Sequence, residues 1–100
     1  PKGQTKNLSL QMFKEGKSVE EIAQLRGLSP NTIETHLSFF IETGEIDIKD
    51  LVPEEKIGVI LKAIEETENI TLTEIKNKLS SEYSFAEVRA VLNYHQFILQ

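Results

Sequence analysis

The 100-residue sequence predicts an all-α fold built from two tandem helix–turn–helix units. Apolar residues recur with the period of an amphipathic helix, and residues that favour helix ends flank these segments. The pattern of the first half of the chain also recurs in the second half. We therefore expect about six helices, near residues 7–15, 19–26, 30–43, 53–67, 72–79 and 85–96.

The first two predicted helices are short. Their apolar stripes are Leu8/Met12 and Val19/Ile22/Ala23. Gly16 follows the first stripe, where a helix commonly ends in a left-handed residue. Ser18 and Glu21 have the spacing of a capping box, in which a hydroxyl and a carboxylate satisfy the free amides of a helix start.

The third predicted helix is longer. Its stripe is Ile33/Leu37/Phe40/Ile41, at positions i, i+4, i+7 and i+8. Ser29 followed by Pro30 is typical of a helix N-terminus, and Gly44 follows the last apolar residue. Beyond Gly44, residues 45–48 alternate polar and apolar side chains. This alternation predicts either a short strand or wing, or else a turn of helix.

Three further helices are expected in the second half. Pro53, with two glutamates after it, suits the start of the fourth helix. Thr71 and Ser84 begin capping-box sequences for the fifth and sixth helices. The corresponding stripes are Ile57/Ile60/Leu61/Ile64, Leu72/Ile75/Leu79 and Val88/Val91/Leu92/His95.

A short glycine-containing turn, residues 27–29, separates the second helix from the third. This spacing is typical of a helix–turn–helix motif, in which the small Ala23 lets the two helices cross closely. With the apolar stripe turned inward, the outer face of the third helix is expected to carry Asn31, Thr32, Glu34, Thr35 and Ser38.

The second half repeats this arrangement. The capping box and following isoleucine recur at an offset of 53 residues, and Ile33 and Leu37 match Val88 and Leu92 at an offset of 55. We therefore divide the chain into a first unit, residues 1–48, and a second unit, residues 49–100. No linker-like segment separates the units, so we expect them to pack together as one domain.

Charge favours the first unit as the side that would touch nucleic acid. The formal net charge is -5, but residues 1–44 carry equal numbers of basic and acidic residues. The whole acidic excess lies in the second half. Because phosphate contacts supply much of the affinity for DNA, the acidic second unit is the weaker candidate.

Several classes of function are excluded by what the sequence lacks. It has no cysteine, no apolar run long enough to span a membrane, and no glycine-rich phosphate loop. No nucleophile motif surrounds a serine, and the two histidines have no partners at metal-ligand spacing. We predict no catalytic residue, no cofactor and no metal. The chain begins at Pro1, so we interpret it as a piece of a longer, cytoplasmic protein.

The candidate DNA-binding residues form two groups. The first, on the third helix, would enter a groove: Asn31, Thr32, Thr35 and Ser38. The second would contact phosphates: Lys6, Lys14, Lys17 and Arg26. The alternative is that the first group is a solvated helix face and the second group consists of ordinary surface charges.

Much of the chain resembles a known bacterial module. The segments that carry the resemblance are Thr5, MFKEGKSVEEIA at 12–23, RGLS at 26–29, TIETHL at 32–37, IETGEIDI at 41–48 and SFAEVRAVL at 84–92. They are similar to the helix–turn–helix domain at the C-terminus of bacterial RecQ-type and related ATP-dependent DNA helicases. The resemblance implies a non-catalytic accessory module that helps to position a helicase on DNA.

The first unit is also similar to the LuxR and sigma-factor type of helix–turn–helix, which shares its Glu-Ile-Ala, Gly-Leu-Ser, Thr-Ile and His-Leu elements. Those families often carry a lysine two residues after the threonine, where this chain has Glu34. A carboxylate on the outer face repels phosphate, although it can accept from a cytosine amine. We expect weak DNA binding, because only about four basic residues are available to displace counterions.

The expected partners are DNA and the helicase core of the parent chain. The apolar tail, residues 97–99, either folds back onto the core or contacts a partner, so a homodimer is a further possibility. Two other interpretations stay open: a protein-interaction or dimerisation module of the same helicase, and a free-standing helix–turn–helix transcriptional regulator.

Overall fold

The computed structural model describes the backbone of residues 2–99 and the side chains of residues 6–99. Within this part of the chain the fold is all-helical, as predicted, with no strand. The helices are α1 (Lys2–Lys14), α2 (Val19–Arg26), α3 (Pro30–Glu42), α4 (Glu54–Glu65), α5 (Leu72–Asn77) and α6 (Phe85–Ile98). The proposed unit limits at residues 1 and 100 lie outside the described residues, and the boundary at residue 48 stays a prediction.

The capping boxes predicted for α2 and α6 are present, whereas at α5 only the bond from the Glu74 amide to Thr71 Oγ1 forms. At α2, the Glu21 amide donates to Ser18 Oγ at 3.1 Å, while the Ser18 amide donates to Glu21 Oε1 at 2.9 Å. At α6, Ser84 and Glu87 form the same reciprocal pair. These bonds satisfy amides that have no partner inside the helix, so they fix where each helix begins.

Gly27 ends α2 in the left-handed region, with φ of 67° and ψ of 33°. A side chain would crowd the following carbonyl in this conformation, whereas glycine adopts it readily. The left-handed turn lets the chain reverse within three residues into α3, which Ser29 caps by accepting from the Thr32 amide. The predicted helix–turn–helix connection is therefore present.

The prediction of a strand or wing after Gly44 is wrong. Ile46 and Ile48 are both buried, but no neighbouring strand pairs with them among the described residues. The Ile46 amide instead donates to the Phe40 carbonyl at 3.0 Å, and residues Ile48–Asp50 form a 3₁₀ turn. The predicted alternative, a helical turn, is also not formed at residues 45–47, and the 3₁₀ turn begins only at Ile48.

The start of α1 and the end of α6 differ from the predicted helix boundaries. α1 begins five residues earlier than expected, because its first turn lacks the apolar stripe on which the prediction relied. α6 continues to Ile98 and so includes most of the apolar tail. The Phe97 ring lies against the turn at Gly44, so closely that a Cβ on this glycine would be 2.8 Å from Phe97 Cε1.

α3 and α6 form the centre of the domain and pack more extensively than any other pair of helices. Ile33 and Leu37 of α3 and Val88 and Val91 of α6 are fully buried. The two helices run parallel, because Glu34 lies near Glu87, Ser38 near Asn93 and Gly44 near Phe97.

The register of this pair follows the sequence repeat. Ser38 and Asn93 are 55 residues apart, which is the offset that aligns the stripe of α3 with that of α6. No helix among the described residues has the length and apolar character needed to cross a lipid bilayer.

Candidate nucleic-acid interface

The outward face of α3 carries an exposed stripe of three residues, Asn31, Thr35 and Phe39. They are spaced four residues apart and therefore lie one above another on the helix. The Thr35 hydroxyl donates to the Asn31 carbonyl at 3.0 Å. Thr32, at the edge of the stripe, is half-buried, and its hydroxyl lies 2.9 Å from Ser29 Oγ. Two polar side chains and one aromatic ring thus face solvent together.

Ser38 does not belong to this face, so its assignment as a groove-contacting residue is wrong. It is 1% exposed, and its hydroxyl donates to the Thr35 carbonyl at 3.0 Å. Asn93 Nδ2 of α6 donates to the Ser38 carbonyl at 2.9 Å. The second unit covers this side of α3, which a pattern read within the first unit alone does not reveal.

Glu34 is also turned towards the second unit and not towards the outer face. It lines a small cavity with Val52, Ala86 and Ala90, and it is half-buried. Burial is the main cause that raises the pKa of the Glu34 carboxyl, with repulsion from Glu20 and Glu87 adding to it. Its carboxylate therefore does not interrupt the exposed stripe.

Lys6 lies beside the C-terminal end of the stripe. Its Nζ is 4.3 Å from the centroid of the Phe39 ring, a cation–π geometry. The ring meets that of buried Phe40 edge-on, with the centroids 5.1 Å apart. Phe39 is thus fixed against the core on one side and against a lysine on another, while 39% of it stays exposed.

Arg26 is engaged in the packing of the first three helices. Its Nη1 donates to Ser9 Oγ of α1 at 2.6 Å, and Ser9 Oγ lies 3.0 Å from Nδ1 of His36 on α3. A guanidinium only donates, so the Ser9 oxygen accepts from Arg26, and we assign its hydroxyl proton to the bond with Nδ1. Ser9 is completely buried at this junction.

The surroundings of His36 favour the neutral imidazole. Partial burial lowers the pKa of His36, and the positive charges of Arg26 and Lys6 lower it further. A neutral ring with Nδ1 as acceptor carries its proton on Nε2. His36 therefore serves to position α1 against α3.

The remaining predicted cations lie at the other end of α1. α1 is antiparallel to α3, since Lys6 meets Phe39 and Ser9 meets His36. The C-terminal end of α1, with exposed Lys14, consequently lies towards the N-terminal end of α3. Lys17 follows in the turn to α2, where its Nζ pairs with Glu15 at 3.2 Å. Lys6 therefore lies at the C-terminal end of the stripe, while Lys14 and Lys17 lie at and beyond the opposite end of α1.

Phe39 is the surface residue that the sequence interpretation did not include. Its spacing of four and eight residues from Thr35 and Asn31 was the available signal. Among the side chains of residues 6–99, no group of three or more metal-ligating residues is close enough to hold an ion.

Comparison with known proteins supports the helix–turn–helix geometry. A family model described as a helix-turn-helix domain matches residues 5–92. Neither the curated proteins nor the solved structures give a match. Since the match spans most of the chain and includes the α2–turn–α3 motif, the chain belongs to this helix-turn-helix domain family, whose fold suggests DNA binding.

Proposed function

We propose that the chain is a non-catalytic DNA-binding domain that contacts duplex DNA through the exposed stripe of α3. The observation that carries the proposal is the exposed stripe Asn31–Thr35–Phe39, with Lys6 held over the Phe39 ring at its C-terminal end. Polar side chains on a recognition helix contact base edges, and flanking cations contact phosphates. Asn31, Thr32 and Thr35 would face the groove, and Lys6, Lys14 and Lys17 the backbone.

The packing of α3 on α6 limits how the domain would bind. Packed helices lie about 8–10 Å apart. Two recognition helices that enter successive major grooves must be about 34 Å apart. The two units of one copy therefore cannot read two half-sites, and we expect one domain to occupy one groove segment. In this proposal the second unit braces α3 and does not read DNA.

The resemblance to helicase C-terminal modules supports a more specific role. We infer that the chain is an accessory domain of a bacterial RecQ-type ATP-dependent DNA helicase, in which ATP hydrolysis belongs to the helicase core. Few lysines surround the stripe, so the affinity should be low and should fall only modestly as the salt concentration rises. In the parent protein, loss of these lysines should weaken DNA binding while the ATPase rate at saturating DNA is preserved.

Fluorescence anisotropy with labelled duplex tests the proposal. The double variant Lys14→Gln/Lys17→Gln should bind more weakly, and the slope of log affinity against log salt should fall by about two, one for each phosphate that is no longer neutralised. The matched control is Lys62→Gln, an exposed lysine on α4. An equal loss for the control, or no saturable binding of the native domain at low salt, would contradict the proposal.

One surface favours a second candidate function, a protein-interaction or dimerisation module. Ile98 and Leu99 are 49% and 67% exposed at the end of α6. Beside them lies a groove of about 410 Å³ lined by Ile41, Ile46, Ile48, Tyr94 and Phe97, among others. The net charge of -5 also suits a protein partner better than DNA. Sedimentation over a range of concentrations, with Leu99→Ser for comparison, distinguishes a dimer from a monomer.

A free-standing transcriptional regulator is a third candidate, which these features do not favour.

A further inference from the structure

Phe39 occupies the one aromatic position on the exposed stripe of α3. Its ring projects from the same face as Asn31 and Thr35 and is held by Phe40 on one side. Lys6 holds an ammonium group 4.3 Å from the ring centroid. The positive charge is therefore held over the apolar ring, at the exposed surface.

The length of the stripe suits a groove in duplex DNA. Residues 31 and 39 are eight positions apart, which is about 12 Å along a helix. The major groove is about 12 Å wide and admits an α-helix. Base pairs stack about 3.4 Å apart, so the stripe spans three to four of them. A ring at its end can reach a base edge while the polar residues contact neighbouring pairs.

Thymine is the base that offers an apolar group in this groove. Its C5-methyl projects into the major groove, where aromatic and aliphatic side chains can pack on it. The other bases present hydrogen-bond donors and acceptors, which a phenyl ring cannot satisfy. A lysine beside the ring would contact the phosphate next to the same base.

We propose that Phe39 is a specificity-determining residue that packs on the methyl group of thymine, with Lys6 on the adjoining phosphate. This inference rests on the proposed DNA-binding function and adds a base preference to it. Asn31 and Thr35 keep their polar contacts. The domain should therefore prefer sequences in which a thymine lies at one end of the contacted segment.

Replacing thymine by uracil tests the contact, because the two bases differ only in the methyl group. The probes are a labelled alternating d(A-T) duplex and the same duplex with every thymine replaced by uracil. Loss of one buried methyl should weaken binding of the native domain about threefold to fivefold. In Phe39→Ala, the two duplexes should bind equally.

Phe85→Ala is the matched control. Phe85 is an exposed phenylalanine on α6 with Lys76 Nζ 5.4 Å from its ring centroid, so it shares the local chemistry of Phe39 in the other unit. This variant should retain the full preference for thymine. Circular dichroism melting of each variant shows that the fold is intact.

The outcomes separate the two proposals. Binding of both duplexes with equal affinity by the native domain overturns the thymine contact and leaves the DNA-binding function standing. A thymine preference that survives in Phe39→Ala also overturns it. If Phe39→Ala weakens binding to single-stranded oligo-dT more than to duplex, the ring stacks on unpaired bases and the groove contact is wrong. Absence of binding to any DNA overturns both proposals.

Discussion

Asn93 of α6 donates a hydrogen bond to the carbonyl of Ser38 on α3, and the two residues occupy equivalent positions in the two units. The bond is 2.9 Å long and joins residues 55 positions apart. It lies where the two central helices pass each other, between the Glu34–Glu87 contact and the Gly44–Phe97 contact. Ser38 is seven residues from Asn31, so the bond lies beside the exposed stripe of α3 and marks its border with α6.

Asn93→Ala should destabilise the domain. The substitution removes a hydrogen bond at a partly buried site between α3 and α6, which costs about 0.5–1.5 kcal/mol. The free energy of unfolding from urea denaturation measures the effect. Gln96→Ala, an exposed change on the same helix, is the control and should stay within about 0.5 kcal/mol of the native value. Equal values for the two variants would contradict the role of the bond.

Gly27→Ala and Gly58→Ala should change stability in opposite directions. A Cβ at either position meets no atom within 4 Å, so only the backbone decides. Gly27 has a φ of 67°, where alanine costs about 1–2 kcal/mol. Gly58 lies within α4, where alanine is more favourable by about 0.5–1 kcal/mol. Thermal denaturation of both variants checks the pair. A melting temperature of Gly58→Ala below that of the native domain would contradict the prediction.

Lys56→Met should loosen the connection between α4 and the start of α6. Lys56 Nζ donates to the Glu82 carbonyl at 2.7 Å, pairs with Glu87 at 3.2 Å and lies 5.3 Å from the Tyr83 ring centroid. Removing these interactions should cost about 1–3 kcal/mol, because both side chains of the ion pair are partly buried. Lys62→Met, on the same helix but exposed, serves as the comparison in urea denaturation. A smaller loss of stability for Lys56→Met than for Lys62→Met would exclude this role.

Stability should fall as the pH drops from 7 to 5, in part because of His36. Burial, Arg26 and Lys6 lower the pKa of His36 in the folded state. The unfolded chain, with an ordinary pKa of about 6.5, then binds more protons than the folded chain, so acid favours unfolding. In His36→Gln, the free energy of unfolding should change less between pH 7 and pH 5 than it does in the native domain. An unchanged slope in the variant would show that another group is responsible.

The titration of Glu34 should change stability with pH in the direction opposite to that of His36. Its pKa is raised by burial and by Glu20 and Glu87, so the folded state binds a proton more readily than the unfolded state. The charged carboxylate therefore weakens the fold at neutral pH, and the penalty fades as the pH falls through the raised pKa. Glu34→Gln should be more stable than the native domain at pH 7. The difference between them should shrink near pH 4, as denaturation at both pH values would reveal.

The helices and their caps follow from local chemistry, which is why the sequence predicts them. Ser18 with Glu21 forms a capping box within four residues, and Gly27 supplies a turn that needs no distant partner. The site was predicted less completely. Whether Ser38 faces solvent depends on Asn93 of α6, which lies 55 residues further along the chain. Phe39 was left out of the predicted site because packing between the two units was the role expected for it, whereas its ring contacts Lys6 and Phe40 and stays 39% exposed.

The parallel pairing of α3 and α6 also determines how the domain loses its structure. Each helix buries its apolar side chains against the other, so neither half of the chain has a complete core of its own. The contacts that close this core join distant parts of the sequence, and they form or break together. Cleavage of the chain at residues 49–53 should therefore release two fragments that do not fold separately. During limited proteolysis, the intact domain should either resist cleavage or be degraded completely. No stable fragment that contains only one unit should accumulate.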